Sequence, residues 1–359
     1  MNKTNSKQSF NEVFKEEKSK IKKPNILICG YTGVGKTTIA QLIFGKDIVS
    51  DDKISDGKPG TMGYIHYEND FISLWDSQGF ELGHKEEEFL DKTRQFIRRR
   101  QDNPDIDQHI HLIWYCIQGV GARVTTFDID LINKIFNPRD VIVLITKSDI
   151  TKPVQKESME KELIKNGVAK DRIISVSEND KHSLSNLIEL SLAVLPEAYH
   201  DAFVSAQHVD LEKKKKRAGT IIHTTAVAAG AAGAIPIPFS DAAIITPLQM
   251  SMVAGLAINY GMPSKDVTAL VEGPIITEIV GTLTASSLIT LIPGIGSVIQ
   301  AGVAFALTEA LGHIVDNYLI KCAEAKINNQ PMPTFTFNKF QFKEMYEQYK
   351  KQYKNETGI

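Results

Sequence analysis

A glycine-rich turn directly after an apolar run constrains the fold of this chain more than any other feature. The run is PNILIC at residues 24–29, and the turn is GYTGVGKTT at residues 30–38. A short apolar run bounded by glycine is typical of a buried strand, and the helix-like IAQLIF follows the turn. Glycines let successive amides point inward at an anion, to which the next helix presents its positive end. The segment therefore predicts a strand, a phosphate-binding loop and a helix.

Apolar and charged segments alternate from about residue 23 to residue 195. The strand-like runs are NILIC, YIHYE, FISLWD, HIHLIWYCI, VIVLIT and RIISVS. Charged, helix-like stretches such as residues 85–101 and 154–166 separate most of them. This alternation predicts an α/β fold, with a mostly parallel sheet covered by helices on both faces. Sheets of this kind bind ligands at the carboxyl ends of their strands.

The turn fits the phosphate-binding motif Gly-x-x-x-x-Gly-Lys-Thr, with Gly30, Gly35, Lys36 and Thr37 at its defined positions. In this motif Lys36 reaches the outer phosphates, and the Thr37 hydroxyl is a ligand of Mg²⁺. A glycine-rich turn without a ligand is the alternative.

Two aspartate motifs follow at the ends of later strand-like runs. WDSQG holds Asp76 and Gly79 with the spacing Asp-x-x-Gly, so the acid can hold Mg²⁺ through water and the glycine amide can sense a γ-phosphate. TKSD, residues 146–149, follows VIVLI. The Asp149 carboxylate can accept hydrogen bonds from guanine N1 and the 2-amino group, a donor pair that adenine lacks. SVSE, residues 175–178, follows RII, and one of its backbone amides can meet guanine O6.

With these motifs in order, residues 24–197 resemble the GTPase domain of the Era-like and septin-like branch of translation-factor-related G proteins. The resemblance implies a P-loop NTPase fold that binds GTP or GDP with Mg²⁺ and hydrolyses GTP. The implied nucleotide contacts are Gly30, Tyr31, Thr32, Gly33, Val34, Gly35, Lys36, Thr37, Thr38, Asp76, Gly79, Thr146, Lys147, Asp149, Ser177 and Glu178. The implied metal ligands are Thr37, Thr61 and Asp76, and the implied catalytic residues are Lys36, Thr61 and Gly79.

Thr61, in GKPGTMG, is the threonine between Thr38 and the Asp76 strand. In the family such a threonine closes over Mg²⁺ and the γ-phosphate; an ordinary loop residue is the alternative.

Two departures from common patterns predict slow intrinsic hydrolysis. Phe80 follows Gly79, where Ras-like proteins carry a water-orienting glutamine, and Gln78 comes one residue too early. Gly33 stands where potassium-activated relatives carry asparagine. We therefore expect stimulation by a partner or by a homodimer across the nucleotide face, as in septins, chloroplast import GTPases and immunity-related GTPases, whose loop this one resembles. Arg123 is either a catalytic arginine or a solvated loop residue.

The rear of the chain is markedly less charged than the front. Residues 218–240, 242–264 and 279–308 contain no Asp, Glu, Lys or Arg. We predict a polar lead-in or helix at 1–22, the GTPase domain at 23–197, a basic linker helix at 198–217, an apolar domain of helical hairpins at 218–330 and an amphipathic tail helix at 331–359.

The apolar segments leave two alternatives open, a soluble helical bundle or a domain that enters or lies against a membrane. The basic segment 211–217 precedes residues 218–240, which are long enough to cross a bilayer but rich in Ala and Gly. Pro293 and Gly294 interrupt residues 279–308, and the Ile-Pro turns in both regions indicate a duplicated hairpin. The region loosely resembles the C-terminal domain of some bacterial Era-like GTPases.

The tail carries Phe342, Tyr346, Tyr349 and Tyr353 on one helical face, for docking on the protein or on an anionic membrane. Three scattered cysteines predict no disulfide framework, and a net charge of -2 predicts no nucleic-acid partner. We expect a cytoplasmic protein, peripheral to or partly inserted in a membrane.

The sequence thus predicts a guanine-nucleotide switch that controls a membrane-associated helical domain. The alternative is a membrane-active or scaffolding protein whose assembly is gated by nucleotide with little turnover.

Overall fold

The computed structural model describes residues 10–50, 63–79, 86–121, 123–233, 241–262 and 301–357. The chain divides into two compact units, one formed by Ile21–Asp210 and the other by Met1–Lys20 together with Leu211–Ile359. Thr61, Phe80 and the proline-containing turns of the predicted hairpins lie outside the described residues.

The described residues of the first unit form a six-stranded sheet. Its strands are β1 (Asn25–Gly30), β2 (Tyr64–Glu68), β3 (Ser73–Ser77), β4 (Leu112–Gln118), β5 (Val141–Thr146) and β6 (Ile173–Ser175). The order across the sheet is β2-β3-β1-β4-β5-β6. β2 runs antiparallel to β3, and all other neighbouring pairs are parallel. Every residue of β1 and β5 is buried, as expected of strands covered on both faces. The predicted α/β fold is therefore confirmed.

Helices connect these strands and also build the second unit. The described helices are α1 (Phe10–Ser19), α2 (Lys36–Phe44), α3 (Glu86–Gln101), α4 (Thr126–Asp130), α5 (Pro153–Lys165), α6 (Lys181–Val194), α7 (His200–Ala206), α8 (Leu211–Gly233), α9 (Asp241–Asn259), α10 (Ala301–Ile327) and α11 (Lys339–Thr357). Helices α2 to α7 belong to the first unit, and α1 and α8 to α11 belong to the second.

Neighbouring residues of β4 face opposite sides of the sheet and pack against different helices. Tyr115 belongs to a buried cluster with Phe96 of α3 and Leu163 of α5. Trp114 lies parallel to Phe44 of α2, with ring centroids 5.6 Å apart, and its Nε1 donates to Ser191 Oγ of α6 at 3.0 Å. This two-sided packing follows from the alternation of side chains along a strand.

The sheet has its switch point at β1 and β4. From β1 the chain continues to β2 and β3 on one side of the sheet, and from β4 it continues to β5 and β6 on the other. The carboxyl ends of β1 and β4 therefore border the crevice in which open α/β sheets bind ligands.

The second unit is helical in its described residues. α10 packs against α8, α9 and α11, and α1 packs against α9. α8 buries Ala218, Ile222 and Ala226 at intervals of four residues, which places them on one helical face. A Cβ on Gly312 of α10 would lie 2.7 Å from Ile222 Cγ2, so the two helices need a residue without a side chain there.

Acidic side chains in this unit pair with polar side chains of neighbouring helices. His223 Nδ1 of α8 lies 2.8 Å from Glu309 Oε1 of α10. The Tyr260 hydroxyl donates to Asp316 Oδ1 at 2.6 Å. Such pairing offsets the cost of burying polar groups among apolar helices.

The basic segment 211–217 is continuous with the apolar residues that follow it, because both lie in α8. Lys214 is 1% exposed, and burial lowers its pKa to about 7. It shares a face with Ala218, which explains why one lysine of the cluster is buried. No helix in the described ranges is both long and apolar enough to span a membrane.

The aromatic face of α11 packs on the protein body. Phe342 and Tyr346 are buried. The Tyr353 ring lies over Gly302 of α10, where a Cβ would be 3.0 Å from Tyr353 Cδ1. Of the two arrangements considered for the tail, docking on the protein is therefore the one observed.

Candidate functional site

The phosphate-binding loop joins β1 to α2 at the carboxyl edge of the sheet. Gly30 has φ +147°, and a Cβ there would lie 2.3 Å from the backbone oxygen of Cys116 on β4. Gly33 and Gly35 have φ +77° and +96°, with no atom within 4 Å of a Cβ at either position. Gly30 is therefore required for close approach of two strands, whereas Gly33 and Gly35 serve the backbone turn.

Lys36 and Gly79 come together over this loop. Lys36 Nζ donates to the carbonyl oxygen of Tyr31 at 3.0 Å, and the lysine is 6% exposed. Gly79 has φ +83°, and a Cβ on it would be 2.7 Å from Thr32 Oγ1 and 3.0 Å from Lys36 Nζ. The Asp-x-x-Gly segment thus reaches the lysine and the loop that the first motif supplies.

Thr37 and Asp76 form the next contact. Thr37 Oγ1 donates to Asp76 Oδ2 at 2.6 Å. Burial raises the pKa of Asp76 to about 6, against the opposing effects of the Thr37 hydrogen bond and the Lys36 charge. Asp76 Oδ1 is buried without a hydrogen-bond partner in the structure. A hydroxyl beside a carboxylate with an unsatisfied oxygen suits a hard cation that takes its remaining ligands from phosphate and water.

The TKSD segment holds the phosphate-binding loop from the other side. Thr146 Oγ1 donates to the Val34 carbonyl at 2.6 Å, across 112 residues of sequence. Lys147, at φ 54°, donates from Nζ to the Gly33 carbonyl at 2.9 Å. Two long-range hydrogen bonds therefore link the predicted base-binding segment to the predicted phosphate-binding segment.

Asp149 lies exposed at the rim of the sheet, next to the loop that follows β6. Asn179 Nδ2 donates to Asp149 Oδ2 at 2.7 Å, and this bond is the main cause that lowers the pKa of Asp149. In the same loop the backbone N–H of Ser177 donates to Ser183 Oγ. The backbone N–H of Asn179 donates to Ser177 Oγ, and that of Asp180 donates to the Ser177 carbonyl. Among described residues 177–180, the Glu178 amide is the one with no such bond, which suits it to meet a ligand carbonyl.

The remaining residues of the first motif have distinct surroundings. The Tyr31 ring packs against Phe127, with centroids 5.8 Å apart. Val34 is buried, whereas Thr32 and Thr38 are exposed. The structure thus brings the residues of all four motifs to one edge of the sheet. Thr61 lies outside the described ranges.

Sequence reasoning missed two groups beside this site. One is Asn179, which follows SVSE directly and whose polar side chain was the available signal. The other is a network in which the Tyr31 hydroxyl lies 3.3 Å from Thr125 Oγ1, and Asp128 accepts from Thr125 and from the Tyr115 hydroxyl at 2.6 Å. Thr125 and Asp128 form a capping box for α4, with Asp in place of the usual Glu or Gln.

Gln78, considered for positioning water, and Arg123, considered as a catalytic arginine, are both exposed. The backbone N–H of Gln78 donates to the Gly63 carbonyl at 3.0 Å.

Comparisons with known proteins give a limited result. No protein-family model matches the chain, and no curated protein sequence matches it. Among solved structures, a dimerization-deficient mutant of Toc33 from Arabidopsis thaliana is similar to 52% of this chain and 89% of its own, with 16% identity and a TM-score of 0.36. LeoA, a bacterial dynamin GTPase from ETEC, is similar over 93% of this chain and 80% of its own, with 14% identity and a TM-score of 0.36. Likeness of this size is too weak to transfer a residue role or an activity.

Proposed function

We propose that this chain binds GDP and GTP and hydrolyses GTP, as a nucleotide switch. The observation that carries the proposal is the pair of hydrogen bonds from Thr146 and Lys147 to the glycine-rich loop. They hold a loop suited to phosphate next to Asp149, a carboxylate suited to the N1 and 2-amino donors of guanine. Adenine lacks this donor pair, so an ATPase is disfavoured.

Lys36 and Gly79 are the residues that we assign to the γ-phosphate. Lys36 Nζ, which bonds the Tyr31 carbonyl, supplies a positive charge, and the Gly79 amide supplies a hydrogen-bond donor. Thr37 and Asp76 would hold Mg²⁺, which when bound neutralises phosphate charge. We further propose that Thr61 joins them in the GTP state.

Calorimetric titration tests nucleotide binding. We expect GDP to bind with magnesium present and ADP to bind far more weakly. Lys36→Ala should weaken GDP binding about 10- to 100-fold, the loss expected for charged hydrogen bonds. Asp149→Asn should shift the binding preference from GDP to xanthosine diphosphate (XDP), because the asparagine side chain can donate to the 2-oxo group of xanthine. Equal affinity of the folded wild type for GDP and ADP would contradict the proposal.

We also propose a homodimer across the nucleotide face that accelerates slow hydrolysis. Support comes from apolar side chains exposed at this edge: Val120 is 40% exposed, Ile150 is 67% exposed and Val154 is 77% exposed. Ile150→Glu should reduce dimers in sedimentation velocity with a non-hydrolysable GTP analogue and should abolish the rise in turnover with protein concentration. Ile106, 60% exposed and preceding β4 at the opposite edge, provides the matched control Ile106→Glu. Equal behaviour of the two variants would argue against this dimer.

Control of a membrane-associated helical unit is the third part of the proposal. It rests on the uncharged segments 218–240, 242–264 and 279–308. Sedimentation with anionic liposomes should differ between GDP and a non-hydrolysable GTP analogue. Lipid binding that ignores the nucleotide would favour the alternative of a membrane-active protein with incidental turnover.

A further inference from the structure

Asp149 is held by a side chain that the nucleotide motifs do not include. Asn179 Nδ2 donates to Asp149 Oδ2 at 2.7 Å. Both residues are exposed, and they come from different loops, one after β5 and the other after β6. The contact is therefore a link between two loops at the rim of the predicted base-binding site.

The backbone fixes Asn179 before its side chain acts. The backbone N–H of Asn179 donates to Ser177 Oγ at 3.1 Å. The backbone N–H of Ser177 in turn donates to Ser183 Oγ at 3.1 Å. Ser177 is 1% exposed, so this anchor lies in the protein interior. Because the backbone at Asn179 is already ordered, forming the bond to Asp149 costs only side-chain rotational freedom.

Guanine binding requires a particular orientation of the Asp149 carboxylate. Guanine presents N1–H and its 2-amino group side by side, and a carboxylate receives both when its two oxygens lie along the base edge. The Asp149 side chain rotates about two bonds and is exposed, so hydrogen bonds rather than packing restrain it. Asn179 makes the largest contribution, and Ser177 and the backbone amides of Asp149 and Ile150 make smaller ones. A donor at Oδ2 restricts that rotation, and four lone pairs leave the carboxylate able to accept from the base as well.

We propose that Asn179 is a positioning residue that orients the Asp149 carboxylate toward the base edge and so increases selectivity for purines with a 2-amino group. This inference rests on the proposed function, because it concerns the same nucleotide site. The same hydrogen bond lowers the pKa of Asp149, because it stabilises the ionised carboxylate.

Nucleotide titrations with the full chain test the inference. The probes are GDP, ADP and inosine diphosphate (IDP). The base of IDP is hypoxanthine, which has the N1–H of guanine and lacks its 2-amino group. Asn179→Ala should weaken GDP binding about three- to tenfold, the factor for one exposed hydrogen bond, and should weaken IDP binding less than twofold. The ratio of GDP to IDP affinity therefore falls. Asn179→Asp, which puts a like charge beside Asp149, should weaken GDP binding further.

A matched control is available in the same unit. Asn137 Nδ2, on an exposed residue, donates to Oδ2 of the half-buried Asp140 at 2.9 Å, just before β5 and away from the site. Asn137→Ala should leave the ratio of GDP to IDP affinity unchanged. An unchanged ratio in Asn179→Ala, or tighter GDP binding, would overturn the inference while wild-type GDP binding upheld the proposed function. A folded wild type that binds no GDP would instead reject the proposed function.

Discussion

Replacement of Gly30 by alanine is the sharpest test of how the phosphate-binding loop is built. The Cβ added at this position would lie 2.3 Å from the backbone oxygen of Cys116. That oxygen belongs to β4, which pairs with β1 at this point, so it cannot move without disrupting the central sheet. Alanine at φ +147° adds backbone strain of roughly 1–3 kcal/mol, because almost only glycine adopts this region.

Gly33 provides the comparison that separates strain from crowding. Its φ of +77° lies near the left-handed region, which alanine adopts at a cost, and an added Cβ would meet no atom within 4 Å. We therefore expect Gly33→Ala to lower the free energy of unfolding by about 1–2 kcal/mol. Gly30→Ala adds overpacking of about 1–3 kcal/mol or more to its own backbone strain, for a total near 3 kcal/mol or above.

Urea unfolding of the nucleotide-free protein measures both values. The chain has 2 tryptophans, Trp75 and Trp114, and both lie in the first unit. Trp114 is on β4, two residues from Cys116, so its fluorescence reports on the strand that the variant would displace. Unfolding midpoints that coincide for Gly30→Ala and Gly33→Ala would refute the assignment of Gly30 to close strand approach.

Three further changes test other contacts. Gly312→Ala should lower the melting temperature, because its Cβ would meet Ile222, whereas Gly219→Ala, with no atom within 4 Å, should raise stability by about 1 kcal/mol in circular dichroism melts. Gly302→Ala should destabilise the wild type and have little effect in a Tyr353→Ala background, as a double-mutant cycle would reveal. Burial raises the pKa of Asp76 from 3.8 to about 6, so the folded state keeps its proton where the unfolded state loses it. The metal-free protein should therefore lose up to about 3 kcal/mol of stability relative to Asp76→Asn between pH 4 and pH 7, and equal pH profiles would contradict the burial argument.

The α/β fold was predictable because its signals are local. A parallel strand buried on both faces requires a continuous apolar run, and VIVLIT at β5 can hardly serve another purpose. The turn after β1 needs residues that tolerate positive φ, which glycine alone tolerates freely. Motifs of this kind can be recognised from about ten consecutive residues.

Side-chain partners across long separations were not predictable. The Thr146 hydroxyl donates to the Val34 carbonyl, and the Asn179 side chain donates to Asp149. Both bonds form only because separate loops meet at one edge of the folded sheet. No periodicity encodes such a meeting, because hydrogen-bond partners depend on distances that the whole fold sets.

In the helical unit, too, the sequence pattern predicted a helix but did not predict its packing partners. The heptad-like spacing of Phe342, Tyr346, Tyr349 and Tyr353 determined an amphipathic helix but not what covers its aromatic face. Packing decided that, since Gly302 leaves space for the Tyr353 ring. Packing also buried Lys214 within a run of charged residues, which charge pattern alone assigns to solvent. The sequence by itself thus determined which backbone segments form and which anion they suit, because these depend on near neighbours. Tertiary structure alone decided which side chains meet, because burial and contact depend on surfaces contributed by distant parts of the chain.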